Sequence, residues 1–377
     1  MTDKTGGVFQ FNDAYGCPVQ RVHGYSRDDL ADGIGRVLPW MRTRLVMSYA
    51  RVMDSVRREL GLVPRGSGIQ EWILPPLGGD GRRVKADVRQ WALRRGFVAP
   101  EHSDRLDSNL MADIVYAVLH DLGIEVCRVV TMYWEVIINL DDDVIENGRL
   151  SPAYPATIQT IIASGRLPDD PDPYQIAFRD LREEIRGLNG DWMLPLFAQC
   201  VATSLTGWLR EQQWRLDGAF PSFDDYLTYA TDNGLIEGAL LLSRLTPGGI
   251  PRSITAPTEL VHLERVTGTL CRLTNDAVGA LREARQGSAS VFVVIMNQYG
   301  LSPVQSATFL IGVIDSMLIT HASLGALVRR SPAHQPYAQR HVDLADRMLC
   351  GAYAWELSTI RQEATDSLAP VPILDPT

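Results

Sequence analysis

The segment MYWEVIINLDDDVIENGRL, residues 132–150, joins a long apolar stretch to an abrupt cluster of acids. Residues 132–140 are rich in large aliphatic and aromatic side chains, a composition typical of a buried helix. Four acids follow within six positions: Asp141, Asp142, Asp143 and Glu146. Crowded carboxylates repel one another. The segment is therefore either an ordinary polar helix end with solvated acids, or a site that holds a cation.

The acids can be grouped in two ways, as DDxxE from Asp142 or as DDxxxE from Asp141. On a helix, Asp142 and Asp143 each lie about one turn before Glu146 and share a face with it. Either grouping presents two or three carboxylates to one point. Carboxylate oxygens are the ligands that Mg²⁺ prefers, so the segment predicts a magnesium site.

Helical patterning continues along almost the whole chain of 377 residues. Apolar residues at helical spacing predict helices at 26–61, 84–96, 104–121, 124–147, 174–187, 191–215, 222–230, 235–244, 255–285, 288–299, 303–330 and 335–366. Pro39 predicts a break in the first of these, and the Pro/Gly-rich segment 63–83 predicts an irregular connection. VFVVIM at 291–296 would also suit a strand, but it lies between helical stretches. We expect an all-α bundle of ten or more helices around one core.

One domain is expected, because no linker divides these helices into two groups. Residues 1–25 are predicted to be a loosely ordered lead-in, residues 26–366 the helical domain, and residues 367–377 a C-terminal tail.

Composition excludes several classes of function. The formal net charge of −9 argues against a nucleic-acid or anionic-membrane partner. No basic region precedes an apolar run at the N-terminus, and no window has about 18 uninterrupted apolar residues, so we expect neither a signal peptide nor a membrane span. Five cysteines without a CxxC pair indicate reduced thiols and a cytoplasmic location.

Lysine is almost absent, which limits how the chain can bind phosphate. Only Lys4 and Lys85 are lysines, and no Gly-Lys-Ser/Thr occurs, so a P-loop is excluded. Phosphate chemistry must therefore use metals and arginines.

A second acidic element, RLTNDAVGALREARQG, occupies residues 272–287. Asn275, Gly279 and Glu283 stand at i, i+4 and i+8 and line one helix face. Asparagine offers a carbonyl oxygen and glutamate a carboxylate, which again suits magnesium. Arg282 stands beside Glu283.

A third element, GAYAWELSTIRQEA at 351–364, places Arg361 six residues after Trp355. Together the three elements resemble the class I terpene synthases, in the bacterial terpene cyclase branch. That family carries an aspartate-rich motif, a triad NDxx(S/T)xx(K/R)E and a C-terminal arginine, in this order. The resemblance spans roughly residues 90–366, with gaps of 133 residues from Asp142 to Asn275 and 86 from Asn275 to Arg361.

The resemblance implies the class I terpenoid synthase fold, a helical bundle around a central apolar cavity. It also implies three Mg²⁺ ions, with Mn²⁺ as the alternative, bound by the two acidic elements. The implied metal-binding residues are Asp141, Asp142, Asp143, Glu146, Asn275, Gly279 and Glu283. Arg282 and Arg361 would bind the diphosphate of an allylic C15 or C20 prenyl substrate.

The implied reaction is ionisation of that diphosphate and cyclisation of the resulting carbocation to a terpene hydrocarbon or alcohol. Aromatic faces stabilise such a cation, and the predicted lining residues are Tyr133, Trp134, Tyr226 and Trp355. A homodimer is left open.

The chain departs from the family at three positions. Gly279 replaces the hydroxyl residue of the triad, and Gln362 replaces the tyrosine that follows the C-terminal arginine. The segment PSFDDYLTYATDNG at 221–234 matches the flanks of the family's diphosphate-sensing arginine, with Asp232 and Gly234 among the matches. The sensor position itself falls on Tyr229 or Ala230, neither of which is a cation.

Four alternatives follow. A class I diterpene synthase would act on a bicyclic diphosphate made by a class II partner. A cyclase fold with degenerate activity would explain Tyr229, Gly279 and Gln362. A chain-elongating prenyl diphosphate synthase would need a second aspartate-rich motif where the triad stands. A non-enzymatic helical interaction protein would leave the three motif spacings as coincidence.

Overall fold

The computed structural model describes residues 11–12, 18–19, 25, 27–65, 71–145, 147–217, 219–232, 235–246, 258–286, 290–331 and 337–358. Within these residues the helices are α1 (Arg27–Glu59), α2 (Gly79–Arg95), α3 (Asp104–Ser108), α4 (Met111–Leu119), α5 (Ile124–Leu140), α6 (Tyr154–Ser164), α7 (Pro173–Gly187), α8 (Leu194–Asp217), α9 (Phe223–Asp232), α10 (Leu235–Leu242), α11 (Thr258–Gln286), α12 (Val291–Tyr299), α13 (Pro303–Arg330) and α14 (Tyr337–Ser358). The all-α prediction is confirmed.

Two short antiparallel strand pairs accompany the helices. Strand β1 (Phe11–Asn12) pairs with β2 (Pro18–Val19), and β3 (Val63–Arg65) pairs with β4 (Glu71–Ile73). The second pair lies inside the segment 63–83, which was predicted to be irregular. That prediction was wrong at both ends, since α2 begins at Gly79.

The predicted break at Pro39 was wrong, because α1 continues through it from Arg27 to Glu59. A proline inside a helix removes one backbone hydrogen bond and costs roughly 3 kcal/mol. Here the helix is buried on both sides of the proline, at Leu38 and Met41, and it packs against α11, α13 and α14. This packing offsets the missing bond and keeps the helix continuous.

The predicted helix 104–121 is interrupted at Leu110, which takes a left-handed backbone conformation with φ 55°. The interruption separates α3 from α4 and directs Asn109 into the protein interior, where it is buried. VFVVIM is helical and forms most of α12. The Ser290 side chain caps the start of α12, and Gly300 ends it with φ 63°.

Helix α10 lies between the two helices that carry the acidic elements. It packs against α5 on one side and against α11 on another, with α8 also in contact. Six of its eight residues are buried. Helix α11 packs further against α1, α13 and α14, so the triad is carried by a helix of the interior. Apolar burial stabilises a core by roughly 25 cal/mol per Å².

Among the described residues, Pro303–Arg330 is long and apolar enough to cross a membrane, with a hydropathy of 1.6 in its most apolar window. The core helix of a soluble protein passes the same test, and α13 packs against α1, α11, α12 and α14. One third of that window is buried, and α13 exposes the apolar side chains Val304, Ile319 and Leu327.

Candidate active site

The acidic cluster forms a π-helical turn, Asp141–Ile145, at the end of α5. The predicted helix 124–147 is therefore α-helical only to Leu140. The side chain of Asn147 stabilises the wider turn by donating to the carbonyl oxygens of Asp142 and Asp143, at 3.1 Å each. Turns of this kind are frequent at functional sites. Glu146, the last acid of either grouping, lies outside the described residues.

Two side chains from other helices hold Asp142 and Asp143. Arg105 in α3 donates from Nη1 to Oδ1 of Asp143 at 2.7 Å and from Nη2 to Oδ2 of Asp142 at 3.3 Å. The hydroxyl of Tyr174 in α7 donates to Oδ2 of Asp143 at 2.6 Å. Burial alone would lower the pKa of Arg105, but its bonds to these carboxylates raise it. The guanidinium of Arg105 thus already neutralises these acids, and a metal would have to displace it or bind the carboxylates beside it.

Asn275, Gly279 and Glu283 share one face of α11, as the sequence predicts. Nδ2 of Asn275 donates to Oε1 of Glu356 in α14 at 2.7 Å. Glu356 is 4% exposed. This bond uses the amide nitrogen of Asn275, and the carbonyl oxygen is the atom that would bind a metal. Glu356 therefore orients the asparagine for that role.

Glu283 is a buried carboxyl with an unsatisfied oxygen. It is 6% exposed, and its Oε2 has no hydrogen-bond partner among the described residues. Arg282 lies beside it, with Nη2 at 3.8 Å from Oε1. Burial, followed by repulsion from Asp276, raises the pKa of Glu283 to about 8. An uncompensated buried carboxylate is costly, so this side chain fits a bound cation.

A buried polar network lies next to Glu283. The hydroxyl of Tyr226 donates to Oδ2 of Asp276, which also accepts from the backbone N–H of Val291 at 3.2 Å. Nε of Arg272 lies 3.1 Å from Oδ1 of Asp276. The hydroxyl of Tyr229 donates to Glu211 in α8. Tyr229, at the predicted sensor position, is thus a buried hydrogen-bond donor.

The four predicted lining aromatics are all buried. The Tyr133 hydroxyl donates to the carbonyl oxygen of Leu235 at 3.2 Å, and the Trp355 indole N–H donates to that of Asn109 at 2.5 Å. Trp134 packs at 6.0 Å from Tyr133 between ring centroids. The polar atoms of Tyr133, Tyr226 and Trp355 are hydrogen-bonded within the protein, so their ring faces remain for apolar contact. Their role around a cation stays a prediction.

Asp232 lies at the C-terminus of α9. Its backbone carbonyl accepts from Ser204 at 3.3 Å, and its carboxylate lies 3.5 Å from Nη1 of Arg210. Gly234 and Arg361 lie outside the described residues. Within the described ranges, no group of three or more His, Cys, Asp or Glu side chains is arranged to hold a metal. The aspartates and the triad have separate partners and are linked through α10, against which both of their helices pack.

Sequence reasoning missed Arg105, Tyr174 and Glu356. The first two bind the aspartates from positions more than 30 residues away in the chain. Glu356 meets Asn275 across 81 positions. Its one signal in the sequence was its place beside Trp355, in the same segment as Arg361.

Residues 133–318 match the family model described as terpene synthase family 2, C-terminal metal binding. This range includes both acidic elements. Casbene synthase, a chloroplastic protein of Ricinus communis, is 28% identical over 132 residues, which are 33% of this chain and 21% of that protein. The chain therefore spans about a fifth of the length of this curated relative.

Two solved structures share the fold over most of their length. Linalool/nerolidol synthase from Streptomyces clavuligerus is 18% identical with a TM-score of 0.65, over 75% of this chain and 99% of that chain. 2-Methylisoborneol synthase from Streptomyces coelicolor A3(2), solved with Mg²⁺ and 2-fluoroneryl diphosphate, is 15% identical with a TM-score of 0.68, over 80% and 96%. The likeness confirms the predicted helical fold.

Proposed function

We propose that this chain, which belongs to the class I terpene synthases, is a Mg²⁺-dependent terpene cyclase. It ionises an allylic C15 or C20 prenyl diphosphate, cyclises the carbocation to a hydrocarbon or alcohol, and releases diphosphate. Its substrate size, its metal count of three and its use of Mn²⁺ as an alternative are parts of the same proposal.

The observation that supports this function best is the state of Glu283. A buried carboxyl with a raised pKa and an oxygen without a donor is unfavourable unless a cation binds there. Asn275 and Gly279 stand on the same helix face, and Glu356 holds the asparagine in place. A structural core would gain stability from an apolar residue at position 283, so the glutamate is best explained by ligand binding.

Magnesium ions bound to the two acidic elements would act as Lewis acids on the leaving diphosphate oxygens. On one side Asp142 and Asp143 offer carboxylates, which Arg105 keeps aligned until a cation shares them. Asp141 and Glu146 are further proposed ligands of this element. On the other side Asn275 offers a carbonyl oxygen and Glu283 a carboxylate. Gly279 offers no side-chain oxygen, so a water would have to supply that ligand to a bound Mg²⁺.

The chain's arginines bind the diphosphate directly. Arg282 is adjacent to Glu283, and its guanidinium can donate to phosphate oxygens while its neighbour holds a cation. Arg361 is proposed to donate hydrogen bonds to the same diphosphate. The net charge of −9 does not prevent binding of an anionic substrate, because bound cations reverse the sign of the local field.

The carbocation must be kept from water after the diphosphate leaves. Tyr133, Trp134, Tyr226 and Trp355 are proposed to line its cavity, each stabilising positive charge by about 0.5–2 kcal/mol. Asp232 and Gly234 are proposed to couple α9 and α10 to the leaving group.

One observation favours a second candidate, a class I diterpene synthase that takes a bicyclic diphosphate from a class II partner. Tyr229 donates to Glu211 in the interior and supplies no positive charge at the expected sensor position. Such a difference suits a substrate of different shape or a protein with degenerate activity.

The deciding experiment gives purified protein C10, C15 and C20 linear diphosphates with Mg²⁺ and analyses the extracts by gas chromatography–mass spectrometry. We expect a cyclic product from the C15 or C20 substrate. Parallel incubation with the five-carbon extender separates a cyclase from an elongating synthase. No product from the linear series or from a bicyclic C20 diphosphate, with folded protein, would refute the proposed activity.

The proposal also includes an oligomeric state and a cellular location. Val304, Ile319 and Leu327 are exposed apolar residues on α13, which supports a homodimer formed through this face. A cytoplasmic location is proposed from the reduced cysteines; Cys127, Cys200, Cys271 and Cys350 are all free thiols. Sedimentation velocity at two protein concentrations tests the first proposal and cell fractionation the second.

A further inference from the structure

Arg272 extends the metal-binding face of α11 by one turn. Positions 272, 275, 279 and 283 stand at i, i+3, i+7 and i+11, a spacing that keeps their side chains on one helix face. Among the described residues of α11, Arg272 is the guanidinium that stands next below Asn275 on this face, and Arg265 follows seven residues further toward the N-terminus of the helix. Arg282 lies at the opposite end of the same stretch.

The guanidinium of Arg272 lies beside Tyr229, on the part of α9 where the sequence lacks a cation. Its Cζ stands 5.5 Å from the centroid of the Tyr229 ring. Its Nη2 lies 3.8 Å from Oε2 of Glu211, the same carboxylate that accepts from the Tyr229 hydroxyl. A tyrosine on α9 and an arginine on α11 thus share one acidic partner.

This arrangement places carboxylates around one partly buried guanidinium, whose side chain is 20% exposed. Asp276 and Glu211 lie near Arg272, and the Arg272 charge also lowers the pKa of Glu283 against the effect of burial. Burial would lower the pKa of Arg272 itself, but Asp276 and its other acidic neighbours raise it. The guanidinium stays charged, and its field reaches the residue that is proposed to bind metal.

We propose that Arg272 is the cation that binds and senses the diphosphate in this protein, acting from α11 in the place where Tyr229 stands on α9. This inference rests on the proposed function for its substrate. When diphosphate binds, the guanidinium donates to its oxygens, and Glu211 keeps Tyr229 as its partner. Binding thereby couples α11 to α9 through Tyr229 and Glu211.

The test measures the binding of inorganic diphosphate in the presence of MgCl₂ by isothermal titration calorimetry, so that it does not depend on turnover. Arg272→Gln removes the cation. Arg265→Gln is the matched control, because Arg265 is an exposed arginine on the same helix. We expect a Kd about tenfold or more higher for Arg272→Gln and unchanged for Arg265→Gln.

A second variant, Arg272→Gln/Tyr229→Arg, moves the guanidinium onto α9. We expect this double variant to recover most of the lost diphosphate affinity. With a substrate that is turned over, we expect kcat to be restored more fully than KM. Wild-type affinity in Arg272→Gln would overturn the proposal, as would a folded double variant that binds no better than the single one. If Arg272→Gln does not fold, Arg272→Lys decides: weaker binding by about fivefold or more supports the proposal, and unchanged binding overturns it.

The two proposals fail separately. Wild-type protein that forms no product from any diphosphate, yet binds inorganic diphosphate through Arg272, refutes cyclase activity and keeps the binding role. If the wild-type protein cyclises its substrate and the Arg272→Gln variant has the same diphosphate affinity and the same kcat, only the proposed role of Arg272 is refuted.

Discussion

The two acidic elements differ in how the protein stabilises their charge. Asp142 and Asp143 have side chains that are 22% and 35% exposed, and both bind Arg105. Glu283 is buried, has no hydrogen-bond donor on Oε2 among the described residues, and has a pKa raised to about 8. One element is a set of carboxylates paired with an arginine near solvent, and the other is a buried carboxyl that its neighbouring arginines compensate only in part.

This difference indicates two distinct requirements for a cation. A metal at the aspartates competes with a guanidinium that already neutralises them. At Glu283 the charges of Arg282 and Arg272 do not outweigh burial, so a metal that binds there should release a proton. We therefore expect the aspartate side to control access and the triad side to control the stability of the loaded state.

The largest expected effect is the loss of turnover when either element is broken. Asp142→Ala and Asn275→Ala should each reduce product formation by about a thousandfold or more, because each removes an oxygen ligand that no neighbour replaces. Gas chromatography–mass spectrometry of the extracts measures the loss. Asp170→Ala, at an exposed loop position, is the control and should keep full activity. Wild-type product levels from either motif variant would exclude that residue as a ligand.

Replacing Glu283 should increase the folding stability of the metal-free protein, although the residue is proposed to be needed for turnover. Because its folded pKa of about 8 exceeds the ordinary 4.5, the folded state loses stability as pH rises from 4.5 to 8. Glu283→Gln removes this loss and should raise the free energy of unfolding by on the order of 3 kcal/mol at pH 7. Urea denaturation with a chelator present measures it. A less stable variant at pH 7 would show that the carboxylate is compensated after all.

Glu264 sharpens the comparison, because it is another largely buried carboxylate on α11 but is directly hydrogen-bonded to cationic side chains. His341 Nε2 lies 2.5 Å from its Oε1, and Arg244 also donates to it. Burial alone would raise its pKa, but these partners lower it from 4.5 to about 2. Its stabilisation is therefore complete above pH 4.5 and is lost as pH falls through about 2.

Glu264→Gln should lower the free energy of unfolding by on the order of 3 kcal/mol at pH 7 and flatten its pH dependence between 4.5 and 2. Denaturation series from pH 2 to 8 provide the measurement. Equal destabilisation at every pH would assign the effect to packing and not to charge.

The smallest expected effect is at Arg105. Its pair with the aspartates is partly exposed, and such pairs contribute about 0.2–1 kcal/mol. Arg105→Gln should lower the half-saturating Mg²⁺ concentration roughly twofold to fivefold, because a competing cation is removed. Titration of activity against Mg²⁺ measures the shift, with Arg94→Gln, an exposed arginine of α2, as control. A raised Mg²⁺ requirement would mean that Arg105 assists metal binding.

Motif positions were predictable from sequence because their spacing is local. Asn275, Gly279 and Glu283 follow helical periodicity, and the structure keeps them on one face of α11. The acidic cluster was placed correctly at the end of its helix. Its π-helical geometry was not predicted, because helical spacing does not reveal the bonds that the Asn147 side chain makes to the turn. The break expected at Pro39 failed because burial of the apolar face of α1 outweighs one lost bond.

The sequence by itself determined the all-α class, the order of the acidic elements and the lack of a cation at Tyr229, since these follow from residue identity and local periodicity. Only the tertiary structure decided how each charged group is compensated. Arg105 reaches the aspartates, Glu356 reaches Asn275, and Arg272 reaches the position beside Tyr229. Electrostatic energy depends on distance and burial in space, and residues far apart in the chain set both.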